Sequence, residues 1–217
     1  MKGILLVRHA QASFGSDDYD RLSPLGHRQS DLLGRWLASM GYQPDKVISG
    51  GLRRHKETIA GIATHVSLPG TCIDPGFDEV SMGAIVRHAA ITDPSLAEAA
   101  KRRATLGTAL EAALRGWSDG AAPEGVETWQ EYNARVARGL AASGAERVLI
   151  MTSGGAIASA AAQVLNCPPK AQIGLFLRLM NTSITHLVRS DNALLLHSYN
   201  ATPHLDRPEY QEERTFV

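Results

Sequence analysis

The first apolar run of the chain, Ile4 to Val7, stops abruptly at Arg8 and His9. Four consecutive apolar residues suit a strand covered on both faces, so the pattern predicts a buried strand whose carboxyl end carries two basic side chains. Val148 to Met151 has the same form, and shorter strands are predicted at Lys46 to Ser49 and Thr71 to Asp74. Between these runs the apolar period lengthens to that of a helix. Leu25, Leu32, Leu33, Trp36, Leu37 and Met40 follow Ser23 and Pro24, which read as N-cap and first helical residue, and Gly41 ends the pattern. A second helix is predicted over Leu52 to Val66, after a turn at Gly50 and Gly51, whereas Gln11 to Arg21 is a polar loop rich in Gly, Ser and Asp.

From Asp93 to Gly116 the chain turns to Ala, Leu, Lys and Arg with helical periodicity, and no strand is expected before Val148. This predicts a helical cap inserted over residues 84–120 of a single 1–217 domain. Thr128 and Glu131 have the spacing of a capping box, and Trp129, Tyr132, Val136 and Leu140 form the buried stripe of the helix that follows. After the strand at Val148 come Thr152, Ser153, Gly154 and Gly155, then an Ala-rich helix over Ala156 to Leu165. Phe176 to Met180, Ser183 to Val188 and Ala193 to His197 read as closing strands, the last two joined by a turn at 189–192. The tail from Pro203 to Val217 reads as a surface segment.

Composition narrows the class. At 217 residues and 44% hydrophobic content the chain can bury a full core, as one domain of the larger α/β kind. Lys plus Arg and Asp plus Glu are equal at 22 each, which gives no overall field for nucleic acid or an anionic membrane, so a cationic site must be local. Cys72 and Cys167 lie far apart without zinc-like spacing and read as small buried side chains in a reducing compartment. Lys2 and the short apolar run after it make no signal-peptide core, and no apolar stretch is long enough to span a membrane, so the expected location is cytoplasmic.

The candidate chemistry gathers at predicted strand ends. A guanidinium and an imidazole side by side at the end of a strand suggest an anion site with a nucleophile; the alternative is a strand that ends in surface charges. Arg53, Arg54 and His55 crowd a helix N-terminus, where the helix dipole disfavours cations unless an anion offsets them. Glu79 follows the third strand and faces the same crevice. Ser153, Gly154 and Gly155, between a strand and a helix, have the form of an amide cradle for an anion, or of a tight turn alone. Lys101, Arg102 and Arg103 read as a solvated helix face that an acidic substrate would also suit.

These segments, in order, resemble the histidine phosphatase superfamily, the phosphoglycerate mutase-like fold. Leu6 to Ala10 is similar to its strand-end Arg-His-Gly, with Ala10 in place of Gly, and Leu22 to Gln29 to its Leu-Thr-x-x-Gly-x-x-Gln segment. Leu52, Arg54 and Thr58 match Leu-x-Arg-Ala-x-x-Thr; Glu79 before Gly83 matches its acidic residue; Asn181, Ser183 and Ile184 match Asn-x-Ser-Ile-Thr. The family's Ser-His-Gly-Gly is here Thr152, Ser153, Gly154, Gly155, a serine in place of the second histidine. The resemblance implies a three-layer α/β/α fold with a mostly parallel sheet and the helical cap. It implies a phosphomonoesterase in which His9 is the nucleophile, Arg8 and Arg54 hold the phosphoryl oxygens and Glu79 is the acid and base. Arg8, Ser13, Arg54, Ser153 and Gly154 would bind substrate. The expected partner is a small phosphomonoester or phosphate, with no metal or other cofactor, no nucleic acid and no membrane; oligomeric state is not legible. Losing a charge-assisted donor at 153 costs on the order of 3 kcal/mol, which predicts slow turnover.

Three rival readings accompany this one: a phosphoester-binding protein of the same fold without turnover, a mutase, and a serine hydrolase using Ser153. Met151 stands where a nucleophile elbow wants Gly, which weighs against the last. His27, His65, His186, His197 and His204 read as surface or core side chains, while His55, after Arg54, and His88, after the Glu79 loop, are candidates to supply the missing imidazole.

Overall fold

The computed structural model describes residues 3–216 apart from 14, 16, 17, 145, 191 and 192, and omits the side chain of residue 103. Lys2, the end of the tail at 217, the end of the turn predicted at 189–192, part of the Gln11 to Arg21 loop and the Arg103 side chain thus lie outside the described residues. Among the described residues the strands are β1 (Gly3–Arg8), β2 (Lys46–Ser49), β3 (Thr71–Ile73), β4 (Arg147–Thr152), β5 (Ile184–Ser190) and β6 (Ala193–Ala201). They form one sheet in the order β3-β2-β4-β1-β5-β6. The pairs β3-β2, β2-β4 and β4-β1 are parallel, whereas β5 is antiparallel to both β1 and β6.

The helices are α1 (Pro24–Ser39), α2 (Arg53–Ala63), α3 (Met82–Thr92), α4 (Ser95–Ala100), α5 (Arg103–Ser118), α6 (Trp129–Ala142), α7 (Gly154–Val164) and α8 (Pro169–Leu177). Alternation along the central strands sorts them into two outer layers. Leu5, Val7, Leu149 and Met151 pack with Leu33, Leu37 and Ile62 of α1 and α2. Ile4, Leu6, Val148 and Ile150 face the other way, into a core with Val136 and Leu140 of α6 and Ile157 of α7. That two-sided burial is why β1 and β4 read as unbroken apolar runs. It also gives the expected three layers, α/β/α, around a mostly parallel sheet.

The chain leaves β1 for the α1 side and β4 for the α7 side, although the two strands are neighbours with Arg8 opposite Thr152. Helices that diverge from adjacent parallel strands leave a crevice at their carboxyl ends, the place where open α/β sheets bind ligands. The loops after β2 and β3 open at the same edge of the sheet.

Several elements differ from the sequence reading. Phe176 to Met180 ends a helix, α8, which Pro169 starts at its first turn; a short apolar run has the same appearance in a buried helix as in a strand. Met82 to Thr92 is helical, so the helices between β3 and α6 begin earlier than Asp93. Gly154 and Gly155 lie inside the first turn of α7. The tail is no loose surface segment: His204, Leu205 and Glu213 are buried, and Thr215 bonds to Gln29 and Asn181. Cys72 is exposed, because β3 is an edge strand with little covering it, and Cys167, between α7 and α8, is half-buried. No described helix is long and apolar enough to cross a membrane.

One glycine is fixed by close approach. A Cβ on Gly26 would lie 2.2 Å from the Gln11 carbonyl oxygen, in the segment that bonds Gln11 N to Gln29 Oε1 and carries the chain away from His9. The carbonyl is backbone and cannot swing aside. Gly26→Ala is therefore expected to destabilise the protein by ~1–3 kcal/mol in urea unfolding, as overpacking does; a change within error would show that α1 can shift away from this loop.

Candidate active site

His9 is the first residue beyond β1, and its backbone is held on several sides. Its amide continues the ladder onto the Thr152 carbonyl at 2.9 Å, and its carbonyl accepts from Asn181 Nδ2 at 3.2 Å and Thr182 N at 3.4 Å. The next amide, of Ala10, donates to Thr58 Oγ1 at 3.0 Å, and Thr58 in turn donates to the Arg54 carbonyl at 2.7 Å, which ties α2 to the end of β1. The imidazole is buried with Nδ1 2.8 Å from the Ala10 carbonyl. A carbonyl only accepts, so Nδ1 carries the proton and Nε2 keeps its lone pair. Burial, then the charges of Arg54 and Arg8, hold the His9 pKa well below the ordinary 6.5, which keeps the ring neutral.

Two guanidiniums line the same cavity as this ring. Arg8 Nη1 donates to the carbonyls of Leu179 and Phe216, the latter at 2.6 Å. Arg54 Nη1 donates to Asp20 Oδ1 at 2.7 Å, and Tyr19 lies over its Cζ at 5.7 Å. In both residues Nε is buried and has no protein partner. Arg53 is different: it is half-exposed and paired with Asp18 at 2.5 Å and Glu57 at 2.6 Å. The conflict between cations and the α2 dipole is relieved by Asp20, whose Oδ2 accepts from the Arg53 amide at 2.7 Å.

Glu79 reaches the site from the loop after β3. Its Oε1 accepts from the Tyr132 hydroxyl at 2.9 Å and the Val80 amide at 3.2 Å, and its Oε2 from the Gly155 amide at 2.9 Å. The anion bound by this first-turn amide of α7 is thus the Glu79 carboxylate. A Cβ on Gly155 would lie 2.3 Å from Oε1, so glycine is required for the contact. Burial, with Glu79 beside it, raises the Tyr132 pKa well above 10.0, which keeps the hydroxyl a donor.

Ser153, at the end of β4, has its Oγ 2.8 Å from His55 Nε2 and 3.5 Å from Arg54 Nη2. The His55 ring is fully buried, and its centroid is 5.7 Å from that of His9. Burial and Arg54 push its pKa down to about 3. Of the two candidate histidines, His55 stands beside the site; His88 is not among the residues lining its cavity.

Arg8, His9, Arg54 and Glu79 line one cavity of about 800 Å³, together with Tyr19, Phe176 and, from the helices after β3, Met82, Lys101, Leu106 and Leu110. Ser13, Ser153 and Gly154 do not line it. Ser13 bonds its amide to the Arg21 carbonyl; Ser153 is 1% exposed; Gly154 lies under Phe176 and the Arg8 side chain, where a Cβ would stand 3.1 Å from the ring. Three groups escaped the sequence reading. Tyr132 was legible only as a core residue, Asp20 only as part of a polar loop, and the Phe216 carbonyl carries no side-chain signal at all.

With this geometry in view the comparisons are decisive for the family. The signature of the histidine phosphatase superfamily, branch 1, matches residues 4–202. The chain belongs to the histidine phosphatase superfamily. It is 42% identical over 71 residues to the mitochondrial serine/threonine-protein phosphatase PGAM5 of Homo sapiens, and equally to that of Rattus norvegicus. The matched stretch is 32% of this chain and 24% of those relatives, so the chain spans about a quarter of their length. Among solved structures, phosphoserine phosphatase from Entamoeba histolytica in complex with 3-phosphoglyceric acid superposes with a TM-score of 0.67 at 19% identity, over 94% of this chain and 100% of that one. A mycobacterial glucosyl-3-phosphoglycerate phosphatase in complex with VO3 gives 0.66 at 23% identity, over 93% and 100%. At these identities the likeness is one of fold.

The neutral state of His9 is directly measurable. Its ring proton signal, assigned by its loss in His9→Ala, is expected to stay at the neutral position as pH is lowered through 6.5, and to move only well below it. A midpoint near 6.5 would contradict the burial and charge environment described.

Proposed function

We propose that the protein is a phosphomonoesterase that works through a phosphohistidine on His9. The observation that carries this reading is the pair of buried, unpartnered Nε–H groups of Arg8 and Arg54 beside a neutral imidazole whose Nε2 is unprotonated. Buried donors are nearly always satisfied, so two unsatisfied guanidinium donors mark a place for a multiply charged oxyanion. In a chain with no net charge, that concentration of positive charge is local, as an anion site requires.

In the proposed reaction His9 Nε2 attacks phosphorus, and the bond from phosphorus to the ester oxygen breaks on the opposite side. The guanidiniums disperse charge on the equatorial oxygens, and Glu79, protonated at this stage, gives its proton to the departing alkoxide. Water then attacks the phosphohistidine and passes a proton to the Glu79 carboxylate; the P–N bond breaks and neutral His9 is regenerated. Tyr132 and the Gly155 amide hold Glu79 in place through both halves. The helices over 84–120 act as a cap, and their Leu106, Leu110 and Lys101 face the part of the cavity left for the leaving group, which suits phosphomonoesters with an apolar portion.

The serine hydrolase gains one partner that the sequence did not supply, since His55 bonds Ser153. It lacks the rest: among the described residues no carboxylate bonds His55 Nδ1, Asp78 Oδ1 accepts from the Gly51 amide at 2.5 Å instead, and Ser153 is buried away from the cavity.

Turnover of p-nitrophenyl phosphate and of an alkyl phosphate tests the mechanism. His9→Ala is expected to abolish both activities, and Glu79→Gln to slow the alkyl ester at least ~100-fold more than the aryl ester, whose good leaving group needs little protonation. Turnover retained in His9→Ala would remove the phosphohistidine, and equal losses for both esters in Glu79→Gln would remove the proton transfer.

A further inference from the structure

We propose that His55 is a positioning residue of this site, holding the Arg54 guanidinium in place through the hydroxyl of Ser153; the proposal rests on the phosphatase reading above. His55 follows Arg54 on α2, and its ring is directed inward, fully buried, with its centroid 5.7 Å from the His9 ring. Its Nε2 lies 2.8 Å from Ser153 Oγ, and Arg54 Nη2 approaches the same oxygen at 3.5 Å. The ring is seated against Gly50, where a Cβ would stand 2.6 Å from Nδ1. An imidazole placed this close to the His9 ring, bonded to a hydroxyl that also meets the Arg54 guanidinium, is more than core filling.

Proton placement gives the pair its function. The Gly50 backbone, against which Nδ1 is seated, favours a proton on that nitrogen, so Nε2 keeps its lone pair. Arg54 Nη2 can only donate, so Ser153 Oγ accepts from the guanidinium and its own proton goes to His55 Nε2. A hydroxyl that donates to an imidazole gains negative charge on its oxygen and accepts more strongly, so His55 strengthens the contact by which Ser153 holds the Arg54 guanidinium.

The sequence departs from the family motifs at two positions, and these two face each other. Ser153 stands where Ser-His-Gly-Gly has histidine, and His55 stands where Leu-x-Arg-Ala-x-x-Thr has alanine. The imidazole absent from the end of β4 is supplied from α2, behind Ser153 and Arg54 rather than at the cavity wall.

Steady-state turnover of p-nitrophenyl phosphate, with inorganic phosphate as competitive inhibitor, tests this in four variants with thermal melting as a fold control. His55→Ala and Ser153→Ala are each expected to lower kcat about tenfold with a smaller effect on KM, and the double variant to be no worse than the weaker single one, as for two residues that act as a unit. His55→Gln, whose amide oxygen can still accept from Oγ, should recover most of the loss. Losses that multiply in the double variant, or an undiminished kcat in Ser153→Ala, would overturn the proposal even if His55→Ala fails to fold. His9→Ala run in parallel separates the two levels: activity surviving there refutes the phosphatase reading itself, whereas an inactive His9→Ala beside fully active His55 and Ser153 variants refutes only the positioning role.

Discussion

Two guanidiniums of like charge converge on a buried imidazole at the carboxyl ends of β1 and β4, and the surrounding structure is arranged to hold them there. Left to electrostatics, Arg8 and Arg54 would separate and turn to solvent. They are kept in place by acceptors aimed at their outer nitrogens: the Leu179 and Phe216 carbonyls for Arg8, and the Asp20 carboxylate for Arg54. The inner Nε–H groups stay unpartnered. The same positive field, with burial, keeps His9 neutral, so on the proposed reading the feature that prepares the site for an oxyanion also prepares its nucleophile.

Much of the fold serves this arrangement at a distance. Glu213 pairs with Arg28 at 2.7 Å, Gln29 donates to the Glu213 carbonyl at 2.6 Å, and Thr215 bridges to Asn181, whose amide nitrogen also holds the His9 carbonyl. The tail is thereby a brace between α1, the β5 approach and Arg8. On the other side of the sheet, Tyr132 packs edge-on to Trp117, with ring centroids 5.5 Å apart, while its hydroxyl fixes Glu79. A core contact and a site contact share one side chain.

The parts legible in the sequence were those set by local pattern. Unbroken apolar runs marked β1 and β4, and the capping box at Thr128 is formed as its spacing implied, with both of its bonds present. Arg8, His9, Arg54 and Glu79 were readable because each sits at a strand or helix end, and motif spacing distinguished Arg54 from Arg53. What was not legible depends on side-chain direction and on pairing across long separations. Nothing in Arg54-His55 says that the ring turns toward Ser153, 98 residues later. The polar tail gave no sign that a backbone carbonyl at 216 would bind Arg8. Phe176 to Met180 failed for a different reason: a five-residue apolar run has no period long enough to separate helix from strand.

The central claim is that His9 Nε2, Arg8 and Arg54 form one site for a transferring phosphoryl group. A crystal structure with orthovanadate bound tests it most directly, since vanadate adopts the five-coordinate geometry of that transfer. The account predicts vanadium bonded to His9 Nε2, its equatorial oxygens within hydrogen-bond distance of the Nε atoms of Arg8 and Arg54, and Glu79 facing the apical oxygen opposite His9. Vanadate bound elsewhere in the cavity, with those two guanidinium nitrogens still unpartnered, would contradict it.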